Sequence, residues 1–487
     1  MSTHFRNASW SGLAAAFRAA SGLFNVLLAA RLLGIENYGH VATLLSLFVL
    51  YLSLNSGVFT ALVVKLMAPD SHERHAVMHA SSAIFSALSI AMLGIVTLLL
   101  SEFAPRLMSI EPGMALDAEI HRVIFIMGSL TAIQIIVALY SALVESVGRL
   151  DLAMKWQLVG PTVVLVTLAF FFFANLPLSA SGYVMALSAG ALTDLCLLWI
   201  VKRKIGFPSF PCWPTRERMH GLVHLLKSGG VLQASSLMGM FLEPLNKFLL
   251  NHFVGAAAVT IYDLAMKVIW GIQYLFSAAM RVFLHLGSQD KEAIWPTFSK
   301  VIALVGVPVM ILHVVGALFL SWVAHHWLMI NATQLMLFFA IATLSNLGMI
   351  FIMPLYISLI GRGDLHFIFK SQAILAITNV VVTLVLLPRI GLIGAAFGLL
   401  SATIYNVIAI HARCKAYSAK FDGLRNFPRG RSITYAMTTL LFAAAILLGI
   451  KADDNYFGIL AMLFVLAGIM MREPIVGVLL VRAGFKS

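Results

Sequence analysis

Arg18, Glu145, Asp194, Glu243, Lys247, Asp263 and Lys267 are ionisable residues that fall inside long apolar runs of a 487-residue sequence. A charge at the centre of a bilayer costs about 2.5 to 3.5 kcal/mol on insertion scales, so one that is kept there has a partner or a ligand. Arginine offers a planar bidentate fork that matches phosphate oxygens, and lysine acts as a point charge. The carboxylates suit different chemistry, since they can neutralise those cations or carry a proton or another coupling ion. Glu243 and Lys247 stand four residues apart, as do Asp263 and Lys267, so each couple shares one helix face and can neutralise itself. Arg18 has no acidic residue within four positions. Its partner must therefore come from another helix or from a ligand.

The elements that carry these residues follow from composition. Hydrophobic residues make up 61% of the chain and charged ones 11%, with a mean hydropathy of +0.95. Soluble domains carry about 25% charged residues, so most of this surface must face lipid, and intrinsic disorder is excluded with it. Crossing ~30 Å of hydrocarbon needs about 20 apolar residues. About fourteen runs qualify, roughly at 9–33, 39–66, 78–101, 122–146, 157–177, 180–201, 226–252, 257–283, 298–324, 333–360, 371–388, 391–411, 434–451 and 455–471. The first is too long for the apolar core of a signal peptide and has no small-residue cleavage site after it, so it reads as a retained span.

An even number of spans puts both termini on one side. Lys202, Arg203, Lys204, Arg216 and Arg218 lie between spans six and seven, and Arg413, Lys415, Lys420, Arg425, Arg429 and Arg431 between spans twelve and thirteen. Both loops fall on the side of the termini, which the positive-inside rule makes cytoplasmic. The net charge of +13 is thereby absorbed by topology and an anionic leaflet, with no nucleic acid implied. Cys196, Cys212 and Cys414 are too few and scattered for a disulfide framework or a metal site. No P-loop, dinucleotide fingerprint, zinc motif or nucleophile elbow is present. The sequence therefore assigns no catalytic residue, cofactor or metal, and the chain is not expected to be an enzyme.

Two patterns recur. Gly34 precedes Val41 by seven residues after span one, and Gly255 precedes Tyr262 by seven after span seven, 221 residues later. Gly148, Arg149, Asp151 and Leu152 follow span four, and Gly361, Arg362, Asp364 and Leu365 follow span ten, 213 residues later. Both shifts amount to six spans, and an even shift preserves membrane orientation. The fold expected is all-α and integral to the membrane: two six-helix bundles related by a parallel pseudo-twofold, plus two C-terminal helices. The divisions are 1–205 for the first bundle, 206–225 for a basic linker, 226–411 for the second bundle and 412–487 for a basic loop with the two extra helices. The charges do not obey the repeat, since Arg18 maps to Gly239, Glu243 to Gly22, Lys247 to Val26 and Lys267 to Ser46. They sit asymmetrically on a duplicated scaffold, as expected of residues that serve cargo rather than folding.

The run ARLLGIENYGHVATLLSL at residues 30–47 resembles the opening signature of the polysaccharide and O-antigen flippases, Wzx type, within the multidrug/oligosaccharidyl-lipid/polysaccharide exporter superfamily. The residues that carry it are Leu32, Leu33, Gly34, Glu36, Tyr38 and Gly39. Residues 379–404, with Gly391, Gly394 and Ala395, are similar to that family's paired spans with a short Gly-rich turn, and residues 226–265 resemble its seventh and eighth spans. Where the family often sets an acidic residue before a basic one late in span seven, this chain has Asn246 and Lys247.

The resemblance implies translocation of a polyprenyl-diphosphate-linked saccharide from the cytoplasmic to the outer leaflet of the cell inner membrane. Membrane lipids and polysaccharide assembly proteins are the implied partners. On that basis Arg18, Lys247 and Lys267 are expected to hold the diphosphate, and Asp263, Glu243 and Asp194 to couple an ion or proton. A multidrug-type cation antiporter, a membrane polymerase or ligase acting on lipid-linked sugars, and an assembly scaffold are the alternatives.

Overall fold

The computed structural model describes residues 3–53, 59, 72–108, 115–146, 158–205, 223, 242–280, 294–330 and 332–418. Every regular element among them is a helix. We number them α1 (Thr3–Leu33), α2 (Ile35–Ser53), α3 (His72–Leu107), α4 (Ala115–Ser146), α5 (Val159–Phe173), α6 (Ala180–Ile205), α7 (Leu242–Phe253), α8 (Ala256–Met280), α9 (Ile294–Trp322), α10 (Ala332–Gly361), α11 (Leu365–Ile390) and α12 (Leu392–Ser418). These coincide in order with the first twelve apolar runs. Nine are long and apolar enough to cross a membrane. The spans expected at 434–451 and 455–471, the Gly148–Leu152 turn and nearly all of the 206–225 linker lie outside the described residues.

The helices are apolar on more than one face because two different media take up their side chains. On α3, Leu88, Met92, Ile95 and Leu99 recur at spacings of four, three and four and are all exposed, which is one continuous stripe turned to lipid. Leu93 and Thr97 of the same helix are buried. With polar backbone satisfied inside each helix, such a surface needs no water, and the chain is a multi-pass membrane protein of all-α fold.

Two compact units divide within α8, at Leu264 and Ala265. In the first, α4 packs on α3 and α6, α5 on α1 and α6, and α2 on α1, α4 and α7. In the second, α10 packs on α9, α11 and α12, and α11 on α12. Buried polar side chains tie the helices of this second unit. Ser345 meets Thr403 at 2.7 Å, the Ser371 hydroxyl donates to Asn406 at 2.6 Å, and the Asn346 amide donates to His313 Nε2 at 3.1 Å. In the Gly361–Leu365 turn, the carboxylate of Asp364 accepts from Arg413 of α12 at 2.8 Å, and a small core of Ile352, Leu355, Leu359, Ile368 and Ile410 packs in the same unit.

The glycine repeat has a visible cause in the first unit. Gly34 joins α1 to α2 at φ +82° and Gly255 joins α7 to α8 at φ +111°, a region that side-chain-bearing residues avoid. The two hairpins then meet through matched contacts. Thr260 donates its hydroxyl to the carbonyl of Ile35 at 2.5 Å. Gly39 sits against the carbonyl of Ala256, which a Cβ at that position would strike. Adding 221 turns Ile35 into Ala256 and Gly39 into Thr260, so one contact is the other with its partners exchanged. That is the signature of an isologous twofold interface, here between two segments of one chain.

Candidate functional site: a buried ionic hub

The same hairpins bring together three of the seven ionisable residues that the sequence singles out. Lys247 of α7 extends its amino group to within 2.6 Å of Glu243 Oε1, one turn earlier on the same helix, and 2.5 Å of Asp263 Oδ1 on α8. Tyr38 of α2 donates its hydroxyl to Asp263 Oδ2 at 2.6 Å. Lys247, Asp263 and Tyr38 are all at most 3% exposed, whereas the Glu243 side chain is 24% exposed. Around them, the Tyr183 ring lies 6.2 Å from that of Tyr38, and Asn246 and Tyr262 are wholly buried. Asn251 carries the connection further along α2, donating to Thr43 at 3.0 Å and reaching His40 at 3.4 Å.

This arrangement confirms one intrahelical couple and revises the other. Glu243 and Lys247 pair as their spacing predicts. Asp263 instead receives Lys247 from the neighbouring helix, while the amino group of Lys267 stands over Trp270 at 5.9 Å from the ring centroid, a cation–π distance. The reason is helix rotation: residue 263 is among the most buried on α8, and Lys267 is only half-buried. Lys247 is therefore not an isolated cation. Two carboxylates share it, and the group carries one more negative than positive charge when fully ionised.

The remaining expected residues sit elsewhere in the first unit. The apolar window of α1 is Ala16–Leu33, so Arg18 is near its start, ~22 Å along the axis from Leu33 at about 1.5 Å per residue. Arg18 occupies an exposed position, and the carboxylates whose fields reach it are Asp194 and Glu145. Asp194 has a local duty as well: its Oδ1 accepts the backbone N–H of Gly160 at 2.8 Å. This satisfies one of the open donors in the first turn of α5, and glycine at 160 leaves the carboxylate room to approach.

Residues 5–284 match the family described as polysaccharide biosynthesis protein. The chain belongs to that family. No curated protein matches it in sequence. Among solved structures, it is similar to lipid II flippase MurJ in an inward closed conformation, with a TM-score of 0.72 at 14% identity over 95% of this chain and 96% of that one. An inward-facing multidrug resistance MATE transporter of the MOP superfamily gives 0.66 at 14% identity over 84% and 96%. A MOP superfamily transporter from Pyrococcus furiosus gives 0.51 at 15% identity over 85% and 96%. At these identities the likeness concerns the fold. It supports the all-α membrane fold expected from the sequence.

The matched region, residues 5–284, contains the whole hub and the signature at residues 30–47. The structure gives that signature a physical content that apolar pattern alone did not reveal. Gly34 makes the positive-φ turn, Tyr38 holds Asp263, and Gly39 admits the Ala256 carbonyl. Glu36 and His40 line a cleft of about 390 Å³ with Asn251 and His252. Tyr38, Tyr183 and Tyr262 escape notice as functional residues in the sequence because a single aromatic in an apolar run reads as core. The spacing of Tyr38 from Gly34, one turn past the hairpin, is the available clue.

Proposed function

We propose that this protein is a flippase that carries a lipid-linked saccharide, joined through an anionic diphosphate, from the cytoplasmic to the outer leaflet of the inner membrane, with both termini in the cytoplasm. The observation that carries the reading is the match of residues 5–284 to the polysaccharide biosynthesis family on a chain in which nine helices, among the described residues, are long and apolar enough to cross a membrane. Likeness in fold to a lipid II flippase supports transport as the step performed. Arg18 and Lys267 meet the headgroup in this reading, because their cationic groups suit an anionic diphosphate. Lys247 joins them only if cargo draws it away from Glu243 or Asp263. Membrane lipids surround the pathway for the prenyl tail, and polysaccharide assembly proteins act on what is delivered.

A multidrug-type cation antiporter is the second reading, and the surplus negative charge of the hub speaks for it. The hub is sealed, however, with Lys247 and Asp263 at 4% and 1% side-chain exposure, which is too tight for an organic cation. Reconstituted protein separates the two. A flippase moves labelled polyprenyl-diphosphate saccharide across proteoliposomes unchanged and leaves organic cations where they are. Replacement of Arg18 by Ala should leave the protein abundant in the membrane while lipid-linked saccharide accumulates on the cytoplasmic leaflet. Normal flipping by Arg18→Ala, or movement of organic cations alone, rejects the assignment.

A further inference from the structure

The cleft beside the Gly255 turn presents a defined set of donors and acceptors. The Thr43 hydroxyl has one hydrogen and gives it to the carbonyl of Gly39 at 2.9 Å. Its oxygen must then accept, so the group that reaches it at 3.0 Å is the nitrogen of the Asn251 amide. The same nitrogen lies 3.4 Å from His40 Nδ1 and has a second hydrogen for it. A ring nitrogen that accepts carries no hydrogen, which leaves His40 neutral with its N–H at Nε2. Asn251 is 5% exposed and lines the cleft. With both amide hydrogens spent, its oxygen is what it has left to offer there. Among the described residues nothing donates to that oxygen or accepts from His40 Nε2.

Glu36, one turn before His40 on α2, adds a carboxylate at an exposed position, and Met108 and Phe253 give apolar walls to the volume of about 390 Å³. These groups select by chemistry. The carboxylate repels anions and the imidazole N–H repels metal cations, whereas a hydroxyl both donates and accepts and so suits all three polar groups. A few fixed polar groups on apolar walls, enclosing about 300 to 1,000 Å³, make up a small-molecule site. We infer that this cleft binds one uncharged sugar unit. Its hydroxyls donate to Glu36 and to the Asn251 oxygen and accept from His40 Nε2, and its C–H face rests on Phe253. None of the residues expected to hold the diphosphate lines it. The sugar site stands on this geometry; its opening to the outer face and its service to the saccharide being delivered rest on the proposed function.

Saturation-transfer NMR of the purified full-length protein in nanodiscs tests the site with the methyl glycosides of glucose, galactose and mannose and of their three uronic acids. At least one neutral glycoside should receive saturation from the protein, and its uronic acid should receive none. Glu36→Ala should weaken the neutral sugar by about tenfold, the worth of one hydrogen bond to a charged group. Glu36→Gln keeps an acceptor and removes the charge, so the uronic acid should now bind beside the neutral sugar. Position 36 is exposed, so neither substitution puts folding at stake, and a merely structural glutamate would not change which sugar is bound. Saturation of none of the neutral glycosides overturns the inference, as does a signal undiminished in Glu36→Ala. So does a uronic acid that the wild type binds as well as the neutral sugar, or that Glu36→Gln rejects as the wild type does. If glycosides bind as expected while labelled lipid-linked saccharide never crosses proteoliposomes, the flippase reading fails and the sugar site survives. If the saccharide crosses and no glycoside binds, the reverse holds.

Discussion

Tyr38 and Lys247 are the side chains on which the hub depends, and their removal has different consequences. Phenylalanine at position 38 fills the same space but withdraws the hydroxyl from a carboxylate 1% exposed. Leaving a buried acceptor with one donor fewer costs about 1 to 3 kcal/mol, which should appear as a lowered unfolding temperature of Tyr38→Phe in detergent. Lys247→Met should be worse, by about 3 to 5 kcal/mol, since removing one partner of a buried ion pair strands the others. The triple variant with Glu243→Gln and Asp263→Asn removes the stranded charge. Its stability should exceed that of Lys247→Met alone; a triple variant that unfolds earlier would show that the ionic contacts are not what the single substitution breaks. Much of this is readable from residue types: the seven ionisable residues inside apolar runs include all three charged members of the hub. Their pairing is not, because a spacing of four fixes neighbours within a helix, whereas the bond from Lys247 to Asp263 depends on how two helices turn toward each other.

The hairpins α1–α2 and α7–α8 behave as matched elements, and that is where the sequence is most informative. Glycines 221 residues apart foretell two equivalent junctions, because the positive φ at both demands that residue. What the spacing does not convey is that the junctions touch. The touching residues differ, glycine at 39 and threonine at 260, and only the three-dimensional fold shows that each approaches the other's equivalent carbonyl. Exchange of the two provides a test. Gly39→Thr alone drives a side chain into the Ala256 carbonyl and should lower both thermal stability and transport, and Thr260→Gly alone should cost about 1 kcal/mol through one lost hydrogen bond. Combined, they give each hairpin the other's residue, and the double variant should recover part of the loss of Gly39→Thr. Simple addition of the two single effects in a double-mutant cycle would argue against the exchange symmetry.

The twelve described α-helices follow the first twelve apolar runs, and nine of them reach the length and apolarity that a bilayer demands. Long-range charge balance is what sets orientation, and it predicts that the Gly34 and Gly255 turns face outward. A single cysteine in place of Glu36, which stands at the α1–α2 junction beside the exposed Gly34, should react with a membrane-impermeant thiol reagent added outside intact cells, once Cys196, Cys212 and Cys414 have been replaced by serine. Labelling only after the cells are broken open would reverse the topology. Positions 28–41 and 249–262 also speak to origin. A seam built from equivalent residues of two repeats is what remains when a pair of separate, identical molecules becomes fused into one polypeptide. In such a pair, one amino acid would have to serve at both the place held by Gly39 and the place held by Thr260. Within one polypeptide each copy is free of that constraint, and a lysine, a glutamate and an aspartate can stand in one copy alone.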